Sequence, residues 1–149
     1  MRAWSLLVAL AVLAPPTVWA QSVEIEGGDV YLQLPFTGLA FGTAVDTSTR
    51  LVWQGRQGDR HKITVQTATV RPTAELRLTA VGARHGREAG TVVLMAGMAP
   101  QDLITDLPPG NWNRNKVGHA TLRYEASTAS GTLPGSDDHH RVTFTITQQ

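Results

Sequence analysis

The side chains best suited to chemistry fall into a few short groups. Asp137-Asp138-His139-His140 brings two carboxylates and two imidazoles together. These are the donor types that bind Zn and similar divalent ions. Neighbours on a strand point to opposite faces, so the four can share an ion only on a loop tip. The run follows Pro134-Gly135, and a polar hairpin turn explains it without a metal. The chain has neither HExxH nor any Cys to supply recognised ligand spacing. The expectation is therefore no bound metal and no cofactor, with Asp137, Asp138, His139 and His140 as the only metal candidates.

Two further combinations could exchange a proton. His119 and Tyr124 lie on or beside one predicted strand, and His85 and Glu88 share a Gly-flanked loop. No Gly-x-Ser-x-Gly elbow accompanies either, nor any Walker or Rossmann glycine pattern. Glu24 and Glu26 share a strand face, where charge blocks unwanted edge pairing. No constellation is complete, so no catalytic residue is assigned and the chain is read as a non-enzyme.

Asn111-Trp112-Asn113-Arg114-Asn115-Lys116 mixes one large aromatic with amides and bases. Aromatic faces stack on sugar rings, and amides and Arg donate to hydroxyls. Asn111, Trp112, Asn113 and Arg114 are thus the ligand-binding candidates, for a surface glycan. The competing reading makes Trp112 a plug in the end of the fold, with the Asn residues serving the turn. Trp53, inside an alternating segment, is predicted to be core.

Strands must position these groups. Val23 and Ile25 alternate with Glu24 and Glu26, and Val30, Leu32 and Leu34 with Tyr31 and Gln33. The same period of two runs through Leu51 and Trp53, Ile63 and Val65, and Leu76, Leu78 and Ala80. It returns in Leu122, Tyr124 and Ala126, and in Val142, Phe144 and Ile146. Such alternation half-buries each strand. Thr91 to Met95 is apolar on both faces, as expected of a strand covered on two sides. Gln101 to Asp106 reads as one short helical turn, and Phe36 to Ser48 as a long loop with an edge strand. Gly27-Gly28, Gly55 to Gly58, Gly82 to Gly90, Pro108-Pro109-Gly110 and Pro134-Gly135 punctuate the runs. Many short strands between turn signals predict a sandwich or barrel.

The C-terminal third adds a resemblance. Pro100 to Gly110, Ala120-Thr121-Leu122-Arg123-Tyr124, Leu133-Pro134-Gly135 and Val142-Thr143-Phe144-Thr145-Ile146-Thr147 resemble the closing strands of secreted bacterial immunoglobulin-like domains. Pilin-like and spore-coat-U-like surface proteins are among these. Ile104 to Trp112 is similar to the Leu-x-Pro-Gly corner of fibronectin type III domains, with Trp112 one residue earlier than the Tyr of that pattern. The resemblance implies an antiparallel immunoglobulin-like β-sandwich on a surface protein, with the last strand integral to the core. It carries over no catalytic residue.

The N-terminus predicts export. Arg2, the apolar run Leu6 to Leu13, Pro15-Pro16 and Val18-Trp19-Ala20 follow the order of a secretory signal peptide. Residues 1–20 are read as that peptide, cleaved after Ala20, and residues 21–149 as one all-β sandwich domain without a transmembrane segment. A chain without Cys builds no disulfide framework, so sheet pairing and apolar burial must stabilise it. Of 13 Lys and Arg against 12 Asp and Glu, cleavage removes only Arg2. The near-neutral remainder has no global field to attract nucleic acid. The local basic runs, Arg56, Arg60, His61 and Lys62, then Arg84, His85 and Arg87, read as solvated loop charge. The expected function is a non-enzymatic secreted, periplasmic or cell-surface module in envelope structure, adhesion or binding. Its expected partners are envelope proteins or surface glycans. A small carbohydrate-binding domain is the alternative, and a metal-binding protein or enzyme the third.

Overall fold

The computed structural model describes residues 22–36, 42–54, 59–68, 74–108, 117–128 and 140–149. All its regular structure is extended: β1 (Ser22–Glu26), β2 (Ala44–Gln54), β3 (His61–Thr67), β4 (Ala74–Arg84), β5 (Arg87–Glu88), β6 (Thr91–Leu94), β7 (Gln101–Leu107), β8 (Gly118–Thr128) and β9 (Val142–Gln148). Five strands form one sheet in the order β1-β2-β8-β4-β6, and four form a second in the order β5-β7-β3-β9. Every ladder is antiparallel.

The period-two residues make the core. Leu51 and Trp53 on β2, Leu76, Leu78 and Ala80 on β4, and Ala120, Leu122, Tyr124 and Ala126 on β8 supply it from the larger sheet. Ile63 and Val65 on β3 and Leu103, Ile104 and Leu107 on β7 meet them from the smaller one. Val30, Leu32 and Leu34 pack half-buried against the same core, with Tyr31 and Gln33 exposed between them. The result is a β-sandwich of two facing antiparallel sheets.

Its connectivity is less local than that of an immunoglobulin domain, which keeps hairpin-linked neighbours within one sheet. Here β1 and β2 are the only consecutive described strands that pair. From β2 onward each next described strand lies in the other sheet. This alternation is that of a jelly roll.

Three expectations are corrected. Gln101 to Asp106 is not helical but most of strand β7, paired with β3 and β5. Phe36 to Ser48 is not simply a loop with an edge strand: from Ala44 it belongs to β2, which lies inside the larger sheet between β1 and β8. A register shift between Asp46 and Thr49 interrupts β2, and Asp46 Oδ1 accepts hydrogen bonds from the Ser48 N–H (2.9 Å) and hydroxyl (2.7 Å). Thr91 to Met95 is covered on one face more than the other. Val92 and Leu94 are buried there, Val93 is half-buried and Met95 is exposed.

The last strand is integral but not central. β9 pairs with β3 along its whole length and forms an edge of the smaller sheet. Val142, Phe144 and Ile146 face inward and are half-buried. The fully buried places beside them go to Ile63 and Val65.

Candidate functional site

On the larger sheet every second residue points away from the core. From β1 across to β4 the outward residues include Glu24 and Glu26, then Arg50 and Val52, then His119 and Thr121, then Val81 and Arg84. His119 lies opposite Val52 on one side and Arg84 on the other. Arg50 lies opposite Glu26 and Thr121, one step diagonally from His119. The pleat therefore gathers Arg50, His119 and Arg84 from three neighbouring strands at one end of the sheet. Arg50 and Arg84 are exposed, and neither forms an ion pair with another described residue.

The electrostatics reflect this crowding. The His119 imidazole is held below its ordinary range, by burial first and then by the positive charges of Arg50, Arg84 and His85, with Glu26 opposing them. Its neutral form is thus favoured in the fold. A depressed imidazole contributes stability above the unfolded value, near 6.5, and that contribution is lost as pH falls through the folded value. Acidification from neutral pH is expected to lower the melting temperature more in the parent protein than in His119→Gln. Paired thermal melts between about pH 7.5 and 5 measure the difference. Equal losses in both proteins would show that His119 does not carry the effect.

Farther along the same face the charges are neutralised. Arg123 Nη1 lies 2.7 Å from Glu125 Oε2, and Arg77 Nε 2.6 Å from Glu75 Oε1. On the smaller sheet Lys62 Nζ lies 2.8 Å from Asp102 Oδ1, and Arg60 Nη1 3.3 Å from Asp106 Oδ1. Exposed pairs of this kind add little to stability, and the pairs on the larger sheet leave Arg50 and Arg84 as its guanidinium groups without an ion pair among the described residues, with Glu26 opposite Arg50.

The sequence candidates scatter. His119 and Tyr124 share β8 but face opposite sides of the sheet: His119 is outward, and Tyr124 is in the core, where burial raises its phenol above the ordinary range. They are not brought together as an acid–base pair. His85 occupies a left-handed turn (φ 62°), and the Glu88 Oε1 accepts the Ala83 N–H at 3.0 Å across it. That carboxylate stabilises the turn. Glu24 and Glu26 are exposed on edge strand β1.

The basic run from Arg60 to Lys62 is not loop charge. His61 is buried at the start of β3, and Arg60 and Lys62 pair with acids of β7. Asp59, their neighbour in sequence, instead accepts a 2.8 Å hydrogen bond from Gln148 Nε2.

Asn111, Trp112, Asn113 and Arg114 lie outside the described residues, as do Asp137, Asp138 and His139. His140 is half-buried just before β9. Among the described residues no three His, Cys, Asp or Glu side chains converge as a metal site. Trp53 is fully buried as expected. Its register partner is Gly118, and a methyl group added at Gly118 would fall within the indole.

Arg50 carries no local signal in the sequence. Alternation with Leu51 marks it as outward, but only the pairing of β2 with β8 and of β8 with β4 brings it near Arg84.

Compared with protein families, curated proteins and solved structures, the chain matches none.

Proposed function

We propose that this chain is an exported, non-enzymatic sandwich module of the cell envelope or surface that acts by binding a partner. It is a sandwich of two packed antiparallel sheets, whose strands from β2 onward alternate between the sheets in place of the hairpin-linked immunoglobulin order. The observation that carries this reading is the filling of the interior. Leu51, Trp53, Ile63, Leu78, Leu103, Ile104 and Leu122 are completely buried between the sheets. A partner is therefore met at the outer faces, edges or connecting loops. The end of the larger sheet bearing Arg50, Arg84 and His119 is the recognition surface, and it suits an anionic or hydroxyl-rich envelope component. Guanidinium groups donate several hydrogen bonds each and favour carboxylates and phosphates. The leader-like residues 1–20 and the absence of Cys support an exported chain whose stability does not depend on oxidation.

The test uses protein recovered from an exporting host. Intact mass is expected to correspond to a chain starting at Gln21, and retention of Met1 would refute cleavage. In a pull-down from envelope fractions, the protein is expected to retain a component that the Arg50→Ser/Arg84→Ser variant loses, with its melting temperature preserved. Equal capture by both proteins would move recognition away from this face. Absence of capture would remove the binding function.

A further inference from the structure

A sheet edge is a template for another strand unless something blocks it. Among the described residues the two sheets have four edges. β1 carries the outward carboxylates Glu24 and Glu26. β5 is only two residues long and β6 only four. β9 differs from all three: its seven residues, Val-Thr-Phe-Thr-Ile-Thr-Gln, carry no charge and no Pro.

The ladder with β3 fixes which backbone groups on β9 remain available. Gln149 N–H bonds to the Arg60 carbonyl at 2.9 Å, and Ala68 N–H to the Arg141 carbonyl at 3.2 Å. In an antiparallel pair, hydrogen-bonded positions alternate, so Thr143, Thr145 and Thr147 direct their N–H and C=O groups toward β3. Those of Val142, Phe144, Ile146 and Gln148 point to the open edge. Among the described residues, no backbone hydrogen bond reaches them.

The occupant can be read from the strand itself. Laid antiparallel against a second β9 with the two-fold axis at Thr145, Phe144 faces the second copy's Ile146 and Thr143 faces the second copy's Thr147. Thr145 faces its own counterpart. Aromatic with β-branched and Thr with Thr are favourable cross-strand pairs. No like charges meet anywhere along the strand, a condition that the carboxylates of β1 would violate. The half-buried inner faces of Phe144 and Ile146 gain cover on the core side. Ile25 of neighbouring β1, inward-facing yet 41% exposed, lies at the same open side of the sandwich. We propose that β9 is a self-recognition edge, through which two copies of this chain pair antiparallel about Thr145 and join their smaller sheets into one continuous sheet. The proposal does not depend on the binding role above.

The absence of native Cys makes the register directly testable. At a two-fold, non-hydrogen-bonded pair the Cα atoms lie about 4.5 Å apart, within disulfide range. Thr143 and its counterpart would be roughly 13 Å apart along the strand, beyond that range. Thr145→Cys is therefore expected to give a covalent dimer on mild oxidation. Thr143→Cys alone should not, whereas a mixture of Thr143→Cys with Thr147→Cys should cross-link.

In sedimentation experiments the parent protein is expected to dimerise. Thr145→Lys should weaken the dimer roughly tenfold or more, and an equal mixture of Thr145→Lys with Thr145→Glu should restore association. Thr145 is exposed, so at dilutions where the parent is monomeric these variants should melt with it, and at higher concentration the parent alone should gain in melting temperature. A parent protein that stays monomeric at the highest attainable concentration overturns the proposal. So does a dimer indifferent to Thr145→Lys, or one cross-linked as readily by Thr143→Cys alone as by Thr145→Cys.

Discussion

Trp53→Ala is expected to lower stability by about 3–5 kcal/mol, the range for truncating a large aromatic side chain in a core. Trp53 is the largest fully buried side chain among the described residues, with 0% of its surface exposed. It lies across from Gly118, whose missing side chain makes room for the indole. Domains have about 5–15 kcal/mol of stability in total, so the variant should lose a large share of its stability and unfold at a much lower urea concentration. Urea unfolding followed by fluorescence or circular dichroism measures the loss.

The geometry also predicts coupling. Gly118→Ala places a methyl group in the indole and should cost about 1–3 kcal/mol through overpacking. In a Trp53→Leu background the same change should cost much less, because the obstructing ring is gone. Additive losses would mean that the close approach of ring and glycine does not limit packing there.

Deleting Val142 to Gln149 should be more damaging than any single change to β9. Phe144→Ala by itself should cost less than a fully buried aromatic, roughly 1–2 kcal/mol, because the ring is half-exposed on an edge. The deletion removes one of the two strand partners of β3 and uncovers Ile63 and Val65, which are 0% and 1% exposed. It also leaves β3 with unpaired backbone donors and acceptors. The expected product is aggregated or unfolded, as judged by solubility and circular dichroism. A soluble, cooperatively folding monomer would show that β9 is dispensable to the core.

The parts of the fold legible in the sequence are those where period two survives uninterrupted. Leu76, Leu78 and Ala80 on β4 and Leu122, Tyr124 and Ala126 on β8 are inward as their alternation predicts. Alternation fails where the ladder is irregular. β7 presents Leu103, Ile104 and Leu107 to the core, with register shifts on both sides of Ile63. That one-and-four spacing imitates a turn of helix, which is why Gln101 to Asp106 reads as one. Asp106 takes a left-handed conformation, φ 54°, within one of these irregularities. The shift between Asp46 and Thr49 similarly hides the first half of β2.

The candidate surface was less legible still. Arg84 belongs to a visible basic run and His119 to a visible strand. Arg50 joins them only through pairing between segments far apart in the chain. Strand order is a property of the assembled sheets, and local spacing carries almost no record of it.

The crossing of successive strands between sheets has a consequence for how the molecule is made. β8 lies between β2 and β4, and β9 closes the edge of β3. As the chain emerges N-terminus first, β2 can pair with β1 and β4 with β6, but the two pairs are joined only when β8 arrives, and β3 must wait for β7 and β9. Most pairings therefore close long loops, the condition under which folding is slow and incomplete intermediates expose strand edges. The sandwich can be finished only when β9 is out, so its synthesis includes an extended interval in which a partly made protein is open to proteolysis and misassociation.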